Sequence, residues 1–289
     1  MSGSRFRLRV LFQRWVNGAT RREISLRMHT SASSPFRPLR GGILLVLFLL
    51  LSSSAQHWIQ LRHWQAYDNG QAPPKAVTLE DGSTAILDSD SHVRTEFEAG
   101  RRRIELLRGQ ALFKVTHDAR RPFEVTAART TVRAVGTEFS VRLRDPDARG
   151  KEQVEVLVSE GRVRVVAGTA QIQEVSAGER AVTNGDHLLL SEHPTPGVEY
   201  SMSWTRGLLL FNDETLAEAA SRFNQYGGAQ FEIADPAITK QRIAGNVRIG
   251  EPAQFVNMLQ MNRVETLEAG QTGQGQRRFL LRKTRKPAP

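Results

Sequence analysis

The sequence predicts three structural parts in series: a single transmembrane helix near the N-terminus, an all-β domain over 75–190, and a small α+β domain over 204–285. Three observations predict them. The apolar run Ile43 to Leu51 follows a basic segment; short stretches of alternating apolar residues recur between Gly-marked turns from Val77 onward; and past residue 204 the apolar spacing lengthens from two to that of a helix.

The apolar run alone is too short to cross a hydrocarbon core of ~30 Å, which takes about 20 helical residues. Extended over 41–61, through Ser52-Ser53-Ser54-Ala55 to Trp58, Ile59 and Leu61, it reaches that length. Trp58 and Trp64 then suit the far interface. Arg37 and Arg40 stand just before the run, with Arg21, Arg22 and Arg27 further back, so residues 1–40 are expected in the cytoplasm and the rest outside the inner membrane. A cleaved export signal is the rival reading, because Ser53-Ser54-Ala55 before Gln56 resembles a small-x-small cleavage site. The 40-residue basic lead is long for such a signal. A buried strand of a soluble protein is the third reading.

Charge is distributed to match. The formal net charge is +10, but residues 1–40 hold nine arginines against Glu23, residues 71–276 carry a net of −4, and 277–286 add six positive charges. A mildly acidic body between basic ends argues against a nucleic-acid groove and for topology signals. The absence of cysteine excludes disulfides, thiolate metal sites and cysteine nucleophiles.

Residues 62–74 read as a linker. Val77 and Leu79 then alternate with Ala85 and Leu87 around a turn at Glu80-Asp81-Gly82-Ser83. Further strands are expected at Arg103 to Leu107, then, after a turn at Arg108-Gly109, at Ala111 to Val115. Others follow at Phe123 to Ala127, Thr131 to Val135, Glu138 to Leu143, Val154 to Val158, Val163 to Val166, Ala170 to Val175 and Glu179 to Val182. Phe113, Phe123 and Phe139 are the largest core candidates.

Residues 191–203 read as a second linker. Beyond it, Leu208 to Phe211 is a strand, and Asn212-Asp213 can cap a helix from Glu214 to Tyr226 with Leu216, Ala219, Ala220 and Phe223 on one face. Strands at Gln230 to Ile233 and Arg242 to Val247 follow, then a helix opened by Glu251-Pro252 with Phe255, Val256 and Leu259 on its inner face. Val264 to Leu267 and Phe279 to Leu281 close a small sheet around a flexible 268–276 loop, giving two strand-helix-strand units. Residues 286–289 are a tail.

No motif for catalysis emerges. The seven histidines form no metal-binding pair, no phosphate loop or nucleophile elbow is present, and Asp88, Asp90 and Glu96 fall on turns and solvent faces. No enzyme activity, cofactor or metal is expected.

The run "VTLEDGSTAILDSDSHV", followed by "RRIELLRGQALFKVTHDARRPFEVTA" and "VRAVGTEFSVR", resembles FecR-type proteins, the inner-membrane anti-sigma regulators of TonB-dependent transport. The resemblance rests on Asp81-Gly82-Ser83, Gly109 before Phe113, Arg121-Pro122-Phe123, and Gly136-Thr137 before Phe139. Physically these are fold determinants: Gly82 and Gly109 permit tight turns, Pro122 restrains the approach to Phe123, and Gly136 allows a bend or close backbone approach. The segment "WTRGLLLFNDETLAEAASRFNQYGG", with "RIAGNVRI" and "PAQFVNMLQ", is similar to the short N-terminal domain of secretins and TonB-dependent receptors.

The resemblance implies a relay. A TonB-dependent outer-membrane receptor, often for an iron-siderophore, presents its periplasmic signalling domain to the regulator, and an extracytoplasmic-function sigma factor is released or activated inside, commonly with the help of a regulatory protease. The family carries a longer cytoplasmic helical region with several tryptophans, where this sequence has residues 1–40. Within these, Phe12, Trp15 and Val16 are the candidate sigma-factor contacts, able to fold on binding. An amphipathic juxtamembrane stretch explains Trp15 equally well. The alternative function is a membrane-anchored periplasmic binding or envelope-assembly module without sigma-factor control.

Overall fold

The computed structural model describes residues 64–146, 150–169, 171–192 and 195–284. The chain divides into two compact units, Met1–Leu61 and Arg62–Pro289, and all described residues lie in the second. The apolar segment 41–61 and the candidate contacts Phe12, Trp15 and Val16 lie outside them. Among the described residues no helix is long and apolar enough to cross a membrane.

The first thirteen strands form one nearly closed arrangement. They are β1 Gln65–Asn69, β2 Lys75–Thr78, β3 Thr84–Leu87, β4 Ser91–Glu98, β5 Arg101–Lys114, β6 Phe123–Ala127 and β7 Thr130–Ala134. The rest are β8 Glu138–Arg144, β9 Gln153–Glu160, β10 Arg162–Ala167, β11 Gln171–Ser176, β12 Glu179–Asn184 and β13 His187–Glu192. Along the main path the order is β11-β10-β7-β6-β5-β8-β9-β12-β13.

The long strand β5 joins two layers. Its first half pairs with β4 and, in parallel, with β6; its second half pairs with β3 and β8. The sequence predicts a turn at Arg108-Gly109, but the chain continues as strand. Leu107 bulges out of the pairing with β4, so His92 faces Arg108 and Val93 faces Leu106. Gly109 follows at φ +81°, where a Cβ would lie 2.4 Å from Ser91 Oγ. A bulge and a left-handed glycine bend the strand without reversing it. The turn at Gly82 is as predicted, closed by a hydrogen bond from Gly82 N to Leu79 O at 3.0 Å.

The inner faces of both layers make one core with Leu87, Ile104, Phe113, Phe123, Phe139 and Val156 fully buried. The strand positions from Phe123 to Val182 follow the alternating pattern closely. Strands β1, β4 and β13 are additional; β1 occupies part of the expected linker, with Asn69 buried and its side-chain amide donating to Leu87 O at 3.2 Å.

The second linker is also structured. Helix α1 spans Thr195–Ser201 and a 3₁₀ turn spans Ser203–Arg206, where Met202 and Trp204 are buried. Strand β14, Leu208–Thr215, runs through Asn212 and Asp213, which sit in a bulge with Asp213 at φ +58°. Those two residues therefore do not cap the helix. Thr215 does, in a reciprocal capping box with Glu218, and α2 spans Leu216–Asn224.

Strands β15 Ala229–Ile233 and β16 Arg242–Arg248, helix α3 Pro252–Met261, and strands β17 Val264–Gln271 and β18 Arg277–Lys283 complete the module. It has two sheets and not one: β14 with β16, and β15-β18-β17, with β17 running into the expected loop as far as Gln271. Buried Phe255 stacks on Phe223 at 4.5 Å, and Phe231 meets both edge-on. Met258 shares the buried face of α3, and Val256 only packs against the core margin.

The two modules share a core. Leu112 of β5 and Leu157 of β9 point away from the β core and are buried among the residues of the C-terminal module, with Ile86 of β3 packed beside them. The loop after β1 also reaches across: a Cβ on Gly227 would lie 2.7 Å from Gln71 O.

Candidate functional site

The motif residues that carry the family resemblance converge on a residue not singled out in the sequence, Arg102. This arginine is fully buried. Its Nη1 donates to Asp81 Oδ2 at 2.9 Å and to Thr116 O at 2.8 Å, its Nε to Arg121 O at 2.7 Å, and its guanidinium lies 5.5 Å from the Phe123 ring. Asp81 also accepts from Ser83 N and Oγ, while Ser83 Oγ accepts from Thr116 N at 3.0 Å. The Asp81-Gly82-Ser83 turn and the Arg121-Pro122-Phe123 entry are thus two halves of one buried polar knot.

The other motif positions are core and close contacts. Phe113 sits 5.6 Å from Phe123 and 5.7 Å from Phe139. Gly136 leaves no room for a Cβ, which would be 2.6 Å from His117 Nδ1, and Thr137 O accepts from Val115 N at 2.9 Å. Gly109 stands apart, beside Ser91. These residues hold the fold and leave no open chemistry.

The open chemistry lies where the modules meet. A cavity of about 700 Å³ runs between β8 and β9 on one side and the α1–α2 region on the other, and a second of about 320 Å³ continues it. Asp88, Gln110, Arg142, Arg144 and Gln225 line both, so the two form one groove. Ser89 Oγ donates to Gln225 O and ties its floor across the joint.

The groove is densely charged. Glu155 accepts from Arg144 at 3.0 Å and Arg180 at 2.7 Å; burial opposes its ionisation, but the two arginines outweigh it and hold its carboxyl below the usual range. Glu214 accepts from Arg222 and from the Tyr200 hydroxyl at 2.8 Å. Burial, then Glu214, pushes the Tyr200 phenol up. Burial likewise raises the Asp88 carboxyl, beside the Tyr226 hydroxyl, whose own ionisation is suppressed by burial and by Asp88. Burial, then the neighbouring Arg144, pulls Arg142 down.

Asp88, Asp90 and Glu96 do not gather. Asp90 pairs with Arg108 at 2.9 Å and Glu96 with Arg103 at 2.6 Å. Among the described residues, no group of three His, Cys, Asp or Glu side chains could hold a metal ion. Sequence reading missed the groove because its walls come from strands and helices that are not neighbours along the chain. The signal available was the unbroken apolar triplets Ala111-Leu112-Phe113 and Val156-Leu157-Val158, which mark strands covered on both faces.

Comparison with known proteins agrees with this architecture. Two crystal structures of a candidate anti-sigma factor from Parabacteroides distasonis match it, each with a TM-score of 0.59. One is 21% identical and covers 77% of this chain and all of its own; the other is 20% identical, covering 76% and all of its own. At that identity the likeness concerns the fold. No curated protein sequence matches the chain. Residues 70–164 match the family model described as FecR protein. That span contains the Arg102 knot and every motif position above, so the part of the chain over residues 70–164 is similar to FecR protein.

Proposed function

We propose that this chain is a single-pass anti-sigma regulator of the inner membrane, with residues 1–40 in the cytoplasm and both folded modules in the periplasm. It relays the state of a TonB-dependent outer-membrane receptor to an extracytoplasmic-function sigma factor. The observation that carries the reading is the FecR domain joined through a shared core to an α+β module, an architecture also found in the candidate anti-sigma factor. An iron-siderophore is the class of transported ligand that suits the family resemblance. The C-terminal module, similar in sequence to secretin and receptor N-terminal domains, is the receptor-facing part, and a regulatory protease acts downstream of it.

The test is co-purification of the full chain from a membrane fraction of its own host. The expected result is a retained sigma factor whose recovery falls with Trp15→Ala. Recovery of a receptor without any sigma factor would overturn the reading and favour a periplasmic binding or assembly module.

A further inference from the structure

One end of the C-terminal module gathers exposed cations that the fold leaves without ion pairs. Asn262 O, just past α3, accepts from Gln241 Nε2 at 2.6 Å, which brings the corner at Lys240 to the end of that helix. Val264 faces Lys283 and Glu265 faces Arg282 across the β17–β18 pair, and Thr284 Oγ1 donates to Arg263 O at 2.7 Å. The loop that leads into the 3₁₀ turn Pro236–Ile238 joins the group through a hydrogen bond from Ala234 N to Leu281 O at 3.0 Å. Lys240, Arg263, Arg282 and Lys283 are all exposed, and none forms an ion pair with a described residue. The acids on these segments are Asp235 and Glu265, and Asp235 turns Oδ1 to Ala237 N. Arg242 points elsewhere, to Asp213 O at 2.7 Å, and belongs to the groove.

At the same end Met261, the last residue of α3, is 79% exposed, although Met258 and Leu259 of that helix are buried in the core. A long apolar side chain among lysines and arginines suits the boundary between lipid headgroups and acyl chains, where the cations meet phosphates and the methionine reaches past them. Each basic residue near an anionic bilayer is worth about fivefold in affinity, and clusters of about four to eight form lipid-binding patches. The sequence adds Arg285 and Lys286 directly after Thr284. An acidic protein surface offers similar charges, but a bilayer is the partner within reach. Residues 62–64 alone separate the predicted span from β1, and four Cα steps cover at most about 14 Å.

We propose that this end of the C-terminal module docks on an anionic phospholipid surface, with Lys240, Arg263, Arg282 and Lys283 on the headgroup phosphates and Met261 entering the boundary beneath them. The choice of a bilayer over a protein rests on the single-pass reading above.

The chain has no cysteine, so Met261→Cys gives a single site for an environment-sensitive fluorophore in the full chain. After reconstitution into vesicles that carry a doxyl-lipid quencher, the label should be quenched where phosphatidylglycerol is abundant and not in pure phosphatidylcholine. Adding Arg263→Gln and Lys283→Gln should lower the ratio of docked to free label about 25-fold, and high salt should act in the same direction. A second measurement needs no variant: acetylation of Lys240 and Lys283, read by mass spectrometry, should be slower in phosphatidylglycerol vesicles than in phosphatidylcholine. Flotation with phosphatidylcholine vesicles reads the anchor separately. A chain that does not float overturns the single-pass reading, and the docking falls with it only if phosphatidylglycerol also leaves the label unquenched. In a chain that floats, an unquenched label, equal quenching in the two lipids, or quenching indifferent to the two Gln substitutions overturns the docking and leaves this end to an acidic protein surface.

Discussion

Arg102 and Asp81 form an ion pair at 2.9 Å with their side chains 1% and 2% exposed. A pair so deeply buried gives little net stability against an apolar replacement of both partners, but removing one strands the other. Arg102→Met should cost about 3–5 kcal/mol in equilibrium unfolding of the full chain, because Asp81 and the carbonyl oxygens of Thr116, Asp118 and Arg121 lose their donor together. The double variant with Asp81→Asn should fall well short of the summed single effects, which a double-mutant cycle will show.

Gly82 and Gly109 have nearly the same left-handed φ, +79° and +81°, but different surroundings. At Gly82 the nearest atom to an added Cβ is Thr116 Oγ1 at 3.7 Å, so Gly82→Ala should cost only the backbone strain, about 1–2 kcal/mol. Gly109→Ala also drives into Ser91 and should cost more. Chemical denaturation of the two variants side by side checks the order.

Asp88 gives the joint a pH dependence of defined sign. Its folded carboxyl titrates above the ordinary range, chiefly through burial, so its contribution is fully present below the unfolded value and is lost as pH rises through the folded one. Asp88→Asn should therefore gain stability relative to the parent as pH rises above the ordinary carboxylate range. A flat difference over that rise would show that the carboxylate is already compensated.

Leu157 belongs to a β-module strand but is buried in the core of the C-terminal module. Leu157→Ala should cost about 2–5 kcal/mol and loosen the joint preferentially. Calorimetry should then resolve two unfolding transitions where the parent shows one.

The capping box at Thr215 is a milder case. Thr215→Ala removes the acceptor for Glu218 N at 3.2 Å and should cost about 1 kcal/mol, with Thr215→Ser restoring most of it in the same denaturation assay.

Much of the strand pattern was legible because alternation reports one-sided burial, which is local. Phe123 to Ala127 is read to the residue for that reason. The pattern failed where burial was not one-sided or where a special backbone intervened. At Gly109 a glycine signals a positive φ, and only the tertiary pairing of β5 with β4 and β8 decides between a turn and a bulge. At Asn212-Asp213 two good capping residues lost to Thr215, whose partner Glu218 lies at the spacing a capping box needs. Arg102 was hidden because a run of three arginines reads as a solvated edge, while the groove was hidden because no local period encodes the meeting of β8 with α2.

The loop at Gln71 leaves the β module to touch Gly227 in the C-terminal one. Counting along the chain, a disturbance at Gly227 would have to travel through every strand of the β module to reach the segment that leads back toward Leu61. Through space it has one step to take. The long barrel of strands is in that sense a bearing, and the short crossing at Gln71 is the crank: displacing the C-terminal module displaces, at once, the few residues with which the β module begins.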